Sequence, residues 1–161
     1  MNYESRAVRD DGSCVFEYEY GCTDHNANNY DIQALYDDGS CRFDVDQFEG
    51  SYYVSDTVVG IQSSDTSIFS YQMRIVKDGD NTKRMVFWGL SGLVPREAVC
   101  RADVNDTTFS VRGQVAGGDR SWGRFEYLLG SGELKKDTLR FEYKIRNDQN
   151  EEYFGFGKAV R

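Results

Sequence analysis

From Asp44 onward, apolar and polar residues alternate along the chain. In "SIFSYQMRIV", Phe69, Tyr71, Met73 and Ile75 take every second position, with Ser70, Gln72 and Arg74 between them. "TLRFEYKIRN" repeats the device with Leu139, Phe141, Tyr143 and Ile145 against Arg140, Glu142, Lys144 and Arg146. "TTFSVRGQ" and "GRFEYLLG" do the same with Phe109, Val111, Phe125 and Tyr127. A period of two marks a strand with one face buried. Gly-, Asn- and Asp-rich stretches such as Lys77-Asp78-Gly79-Asp80-Asn81 and Val104-Asn105-Asp106 separate the runs as turns. The pattern predicts about eight strands, at 50–59, 67–76, 83–89, 97–104, 107–115, 121–129, 137–147 and 151–160. No window sustains a helical period, so the fold class is all-β. Consecutive antiparallel strands with one apolar face close most economically into an up-and-down barrel, which removes exposed edges. A two-sheet sandwich is the alternative.

A barrel of this strand number is just wide enough to be filled by its own side chains or to hold one small ligand. The residues expected to line its interior are Tyr52, Phe69, Tyr71, Phe87, Phe125, Tyr127, Phe141, Tyr143 and Phe154. So aromatic a set is expected to fill the space at the density of a protein core. Trp88 and Trp122 fall outside this set and are candidates for an outer contact with a protein or a glycan.

The first third of the chain has a different character. Residues 1–49 carry 12 acids and three bases, a net charge of −9, within a chain whose total is −8. The remainder, with 15 acids and 16 bases, is nearly neutral. This distribution excludes a nucleic-acid partner, which needs a basic face. No apolar run approaches the roughly 20 residues needed to span a bilayer. No signal peptide is visible either, since the first fifteen residues are charged and polar.

Within the acidic third the chain repeats itself: "NYESRAVRDDGSC" (2–14) returns as "NYDIQALYDDGSC" (29–41), 27 residues later. The full unit runs from Gly21 to Cys41. Asp24, Asn26 and Asn28 stand at i, i+2 and i+4, the spacing at which a calcium loop presents its first oxygen ligands. Asn29 tolerates the left-handed backbone of a tight loop. Asp37 and Asp38 would supply further carboxylates, and a hard divalent cation would relieve their mutual repulsion. The Glu that closes an EF-hand loop is missing, since Leu35 stands in its place. Asx-turns without any ion are the plainer use of such residues. The expectation here is Ca2+ on Asp24, Asn26, Asn28, Asn29, Asp37 and Asp38.

Cysteines stand at 14, 22, 41 and 100. Three lie in a segment too polar to fold on apolar burial alone, which is the setting of a disulfide framework and an oxidising compartment. One scheme joins Cys22 to Cys41 and would contribute roughly 3 kcal/mol by constraining the unfolded chain. The other joins Cys14 to Cys22 and Cys41 to Cys100, and is preferred here because it leaves no thiol unpaired. Zinc is not expected, since His25 is the only histidine and short Cys spacings are absent.

The residues Gly21, Cys22, Thr23, Asp24, Ala27, Asn29, Tyr30, Asp31, Ala34 and Asp37 to Cys41 resemble short tandem repeats of secreted and surface proteins of Bacteroidetes and some environmental viruses. Those repeats are likened to thrombospondin type 3 calcium repeats. The match departs at His25, where that family commonly carries proline. The resemblance implies calcium binding and a chain that starts inside an earlier repeat of a longer array. Residues 47–161 resemble lipocalin-like domains of Bacteroidetes envelope proteins, through Phe48-Glu49-Gly50-Ser51-Tyr52, "ADVNDTTFSVRGQ" and "GSGELKKDTLRFEYKIRN". Tyr52 stands where lipocalins usually place tryptophan. That likeness implies a barrel, with a lipophilic ligand as one use of it.

Residues 44–161 contain no histidine, so Ser–His and Cys–His catalysis is excluded there. Glu126 and Glu142 sit on the polar faces of their runs. Together these features predict two parts, 1–43 a truncated plus a complete repeat and 44–161 a barrel. They describe a non-enzymatic, extracellular or surface-displayed module with structural, adhesive or interaction roles, on a cell or a virion. Its partners would be other surface proteins or glycans. The alternative is a carrier that binds a small lipophilic ligand inside the barrel.

Overall fold

The structure is a computed structural model that describes residues 19–116 and 123–161. Cys14 and Trp122 therefore lie outside the described residues. The chain divides into two compact units after Arg42, one residue before the boundary expected from the sequence.

The described part of the first unit, residues 19–42, is loop-rich with little regular structure. Its two short strands, β1 (Tyr20–Gly21) and β2 (Tyr36–Asp37), pair in parallel. Cys22 forms an isolated bridge with Tyr30 and a disulfide with Cys41, with a Cα–Cα distance of 4.7 Å. Of this unit's hydrophobic residues, Cys22 and Ala27 are buried. With so little apolar burial, the covalent link is what constrains the chain here.

The second unit opens with a 3-10 helix, Asp44–Phe48, whose first turn is fixed by the Phe43 amide donating to Asp46 Oδ2 at 2.8 Å. Nine strands follow: β3 (Gly50–Gly60), β4 (Thr66–Asp78), β5 (Asn81–Trp88), β6 (Val99–Asn105), β7 (Thr108–Val111), β8 (Gln114–Val115), β9 (Glu126–Lys135), β10 (Thr138–Arg146) and β11 (Glu152–Val160). All pairings among them are antiparallel, and β11 pairs back onto β3, from Tyr153↔Gly60 to Val160↔Tyr53. Since β7 and β8 both pair with β9, they act as one interrupted strand. The result is a closed barrel of eight staves.

The strand expected at 121–129 runs instead from Glu126 to Lys135. Gly130 and Gly132 look like breakers in the sequence, but in the sheet they make room for neighbours. A Cβ on Gly132 would lie 2.4 Å from the Phe109 ring. The same device recurs on β11: a Cβ on Gly155 would come within 2.1 Å of Tyr143 Cζ, and one on Gly157 within 2.6 Å of Phe141 Cζ. Aromatic rings from one strand lie over glycines of the next, as aromatic rescue of strand glycine requires.

Along β3, β6, β7 and β10 alternate residues turn inward. Tyr52, Met73, Ile75, Met85, Phe87, Tyr127, Leu139, Tyr143 and Ile145 are fully buried, with Phe109 and Phe141 close behind. Phe109 stacks obliquely on Phe87 at 4.9 Å and meets Phe48 of the 3-10 helix edge-on at 6.3 Å. Full burial of each such side chain contributes roughly 1.5–3 kcal/mol.

Gly155→Ala should lower stability in urea by about 1–3 kcal/mol, because the added methyl displaces a ring packed on both sides. Gly113→Ala, where a Cβ meets nothing closer than 3.7 Å, is the control and should change little.

Candidate functional site

The alternation of β3 puts Tyr52, Val54, Asp56 and Val58 on the inside, so a carboxylate enters an otherwise aromatic and aliphatic core. Asp56 is fully buried. Its Oδ2 accepts three hydrogen bonds, from Tyr143 Oη at 2.6 Å, the Gly92 amide at 3.1 Å and Tyr71 Oη at 3.3 Å. Oδ1 has no partner. Tyr71 Oη also accepts from the Ser91 amide at 3.0 Å. Tyr127 adds a fifth bond by donating to the Leu90 carbonyl, and its ring stands edge-on to Tyr143 at 6.4 Å.

These bonds converge on one segment, Gly89 to Ala98, which links β5 to β6. Its neck closes where the Gly89 amide donates to the Ala98 carbonyl at 2.8 Å. Between them Leu90, Ser91, Val94 and Ala98 are buried, so the segment plugs the barrel. Ser91 adopts a positive φ of 109°, a conformation that non-glycine residues rarely take, with its Oγ accepting from the Leu93 amide at 3.1 Å. Backbone in such a region persists where the surroundings over-determine it. Here Tyr71 and Asp56 hold the amides on both sides.

Burial pushes the Asp56 carboxyl above its ordinary range, against the opposing effect of its three donors. Burial and then the Asp56 charge push the Tyr71 and Tyr143 phenols up, so they remain donors at any ordinary pH. Burial raises Tyr127 as well, with Cys100 and Tyr71 adding to it. Cys100, on β6, is fully buried and its thiol is likewise held protonated. Such a cluster can fix a loop and store a proton.

Several sequence expectations change in the light of this arrangement. The Cys14–Cys22 and Cys41–Cys100 scheme is overturned, because Cys22 bonds Cys41 and Cys100 is a free thiol inside the barrel core. Cys100 faces inward because it occupies an interior position of β6 together with Ala102 and Val104. Of the expected interior aromatics, Tyr52, Phe87, Tyr127, Phe141 and Tyr143 are inside, and Phe69, Tyr71 and Phe125 pack against them, partly buried. Phe154 is outside and 36% exposed. The inward positions of β11 belong to Tyr153, Gly155, Gly157 and Ala159, which leaves Phe154 and Phe156 on the outer face. Trp88 is on the surface as expected, at 43% exposure.

In the repeat, the oxygen-bearing side chains organise turns. Asp24 Oδ1 accepts from the Asn26 amide and from Asn26 Nδ2, at 2.8 and 3.1 Å. Asp37 Oδ1 accepts from Gly39 N and Asp38 Oδ1 from Ser40 N. Asn29 bridges the Ser40 carbonyl and the Arg42 amide at 2.8 and 2.7 Å. Asn28 ties its amide to the Arg42 carbonyl at 2.8 Å. Among the described residues no group of three or more His, Cys, Asp or Glu side chains comes together as a metal site.

The raised acid constant of Asp56 has a definite sign in stability. The unfolded chain releases this proton first, near pH 4, while the native state keeps it. Stability is therefore lost as pH rises from about 4 through the native acid constant. Asp56→Asn removes that contribution, so wild type should lose stability relative to the variant as pH climbs from about 4 towards neutrality. Paired urea titrations across that window would measure the difference. A difference that stays flat would place the carboxyl in its ordinary range.

No protein-family model matches the chain. No curated protein matches it either. Among solved structures, it is similar to a mutant of the vaccine antigen transferrin binding protein B from Haemophilus parasuis Hp5, at 12% identity and a TM-score of 0.44. That alignment covers 74% of this chain and 28% of the other, so this chain spans under a third of its length. Among the described residues no helix is long and apolar enough to cross a membrane.

Proposed function

We propose that the chain is a non-enzymatic interaction module displayed outside the reducing cytosol, on a cell or virion surface, whose barrel is a rigid support and not a carrier. The observation that carries this reading is the filled interior. Five of the expected lining aromatics are buried against one another, and the space left at one side is taken by Leu90 and Ser91 under the Asp56 cluster. A lipocalin-type carrier needs a void where this chain packs rings over glycines. The outer face keeps apolar groups that a lone soluble barrel has no need of, among them Tyr53, Ile68 and Phe156. The Cys22–Cys41 disulfide supports the oxidising compartment.

Titration with a dansylated fatty acid tests the choice. The module reading predicts no saturable emission change and no lipid in extracts of the purified protein. Saturable one-to-one uptake would make the barrel a carrier and overturn it.

Calcium uptake by the repeat belongs to the same proposal and rests on donor chemistry alone: Asp24, Asn26, Asn28, Asn29, Asp37 and Asp38 offer the hard oxygens that Ca2+ prefers. Uptake would exchange Asx-turn hydrogen bonds for metal bonds. Isothermal titration should give a saturable heat that Asp24→Ala abolishes. At a hundredfold excess over Kd, Ca2+ should stabilise the repeat by about 2.7 kcal/mol. No heat, with hydrogen exchange across residues 24–40 unchanged by a chelator, would leave these side chains as turn acceptors.

A further inference from the structure

Among the described residues, β4 lacks a second strand partner over much of its length. β4 pairs with β3 from Thr66 to Ile75, but its pairing with β5 covers only Arg74 to Asp78. Beyond Trp88 the chain leaves the sheet, turning at Gly89 (φ +75°) into the plug. Among the described residues, 66–73 therefore have no strand on their second side. The plug does not take the place of a strand. It reaches β4 through side chains, with the Ser91 amide on Tyr71 Oη and Gly92 against the Phe69 ring. Pro95 has no N–H to offer to a ladder. Between Phe69–Ser70–Tyr71 and the segment ending at Arg96 lies a cleft of about 270 Å³. It runs into an outer groove of about 730 Å³ that Ser70, Gln72, Arg96 and Lys158 help to line.

An exposed edge of this length is a template for another chain, and native proteins rarely leave one bare. We infer that the free edge of β4, Thr66 to Met73, docks an extended acidic peptide, which adds to the barrel as a strand. This rests on the interaction-module reading and names its partner. Main-chain pairing would supply affinity, and alternate side chains would enter the cleft and the groove. Lys77, Arg84, Arg101, Arg112, Lys135, Lys144 and Arg146 all have carboxylate partners. Arg96 at the rim of the cleft and Arg74 at the fork with β5 are exposed and form no ion pair among the described residues. A second copy pairing edge to edge would set Arg96 against Arg96. An acidic strand would meet the same groups with opposite charge.

The test is an NMR titration of the whole chain with the acetylated, amidated peptide Glu-Thr-Val-Glu-Val-Thr-Glu. A lysine-for-glutamate analogue and a backbone N-methylated analogue serve as controls. Saturable shifts and slowed amide exchange confined to 66–73 are expected. Both analogues should bind more weakly, and Arg96→Glu should weaken the acidic peptide about tenfold or more, or 1.4 kcal/mol. Equal binding of the N-methylated peptide, no binding at all, or a dimer that occupies β4 in sedimentation would overturn the inference. Shifts centred on Phe154 and Phe156 would remove the edge while leaving the module reading intact. Only fatty-acid uptake by the barrel would remove the module reading itself.

Discussion

Taking one carboxylate out of water is the constraint around which this barrel is organised. A buried acid is expensive unless its oxygens find donors or a proton. Asp56 recruits donors from three separate places: Tyr71 from the neighbouring strand, Tyr143 from across the closure, and the Gly92 amide from the β5–β6 connection. Each donor has few alternatives once it is inside. The two phenols cannot ionise, and the amides of Ser91 and Gly92 would otherwise be buried without acceptors. The carboxylate thus fixes elements that lie far apart in sequence, at 56, 71, 92 and 143.

The open edge follows from the same bonds. A β5–β6 connection that gives its amides to Tyr71 and Asp56 cannot also run alongside β4 as a ladder. The segment that seals the interior therefore leaves the first eight residues of β4, Thr66 to Met73, paired with β3 on one side and with no described strand on the other. A filled interior and a bare edge are two consequences of one displacement. Elsewhere the sheet protects itself by closure and by the paired charges on its outer face.

Much of the barrel was legible in the sequence because period-two patterning is a direct record of one buried face. Seven of the expected strands lie close to where they form, and the ring of eight follows from their order. The strand expected at 121–129 forms later, at 126–135, where the use of Gly130 and Gly132 is set by side chains on the adjacent strands, which local sequence does not display. Phe154 misled for a related reason: on β11 the inward positions are filled from next door by Tyr143 and Phe141, so the strand's own aromatics face out. Asp56 was in plain view within Tyr52-Val54-Asp56-Val58, and a lone acid on an apolar stripe was the available signal. Its partners could not be read, since they come together only on closure. The disulfide was open between two schemes because spacing permits both. Register on β6 decides the matter by pointing Cys100 into the core.

Native-state hydrogen exchange at Ser91 and Gly92 is the most direct measurement of whether the carboxylate seals the barrel. If Asp56 and Tyr71 hold the plug as described, these two amides exchange only when the core strands do, at the same free energy as Tyr143 and Ile145. Exchange at Ser91 and Gly92 while those strands stay protected would mean that the plug opens on its own. The interior would then be accessible in the native state, contrary to what is described here.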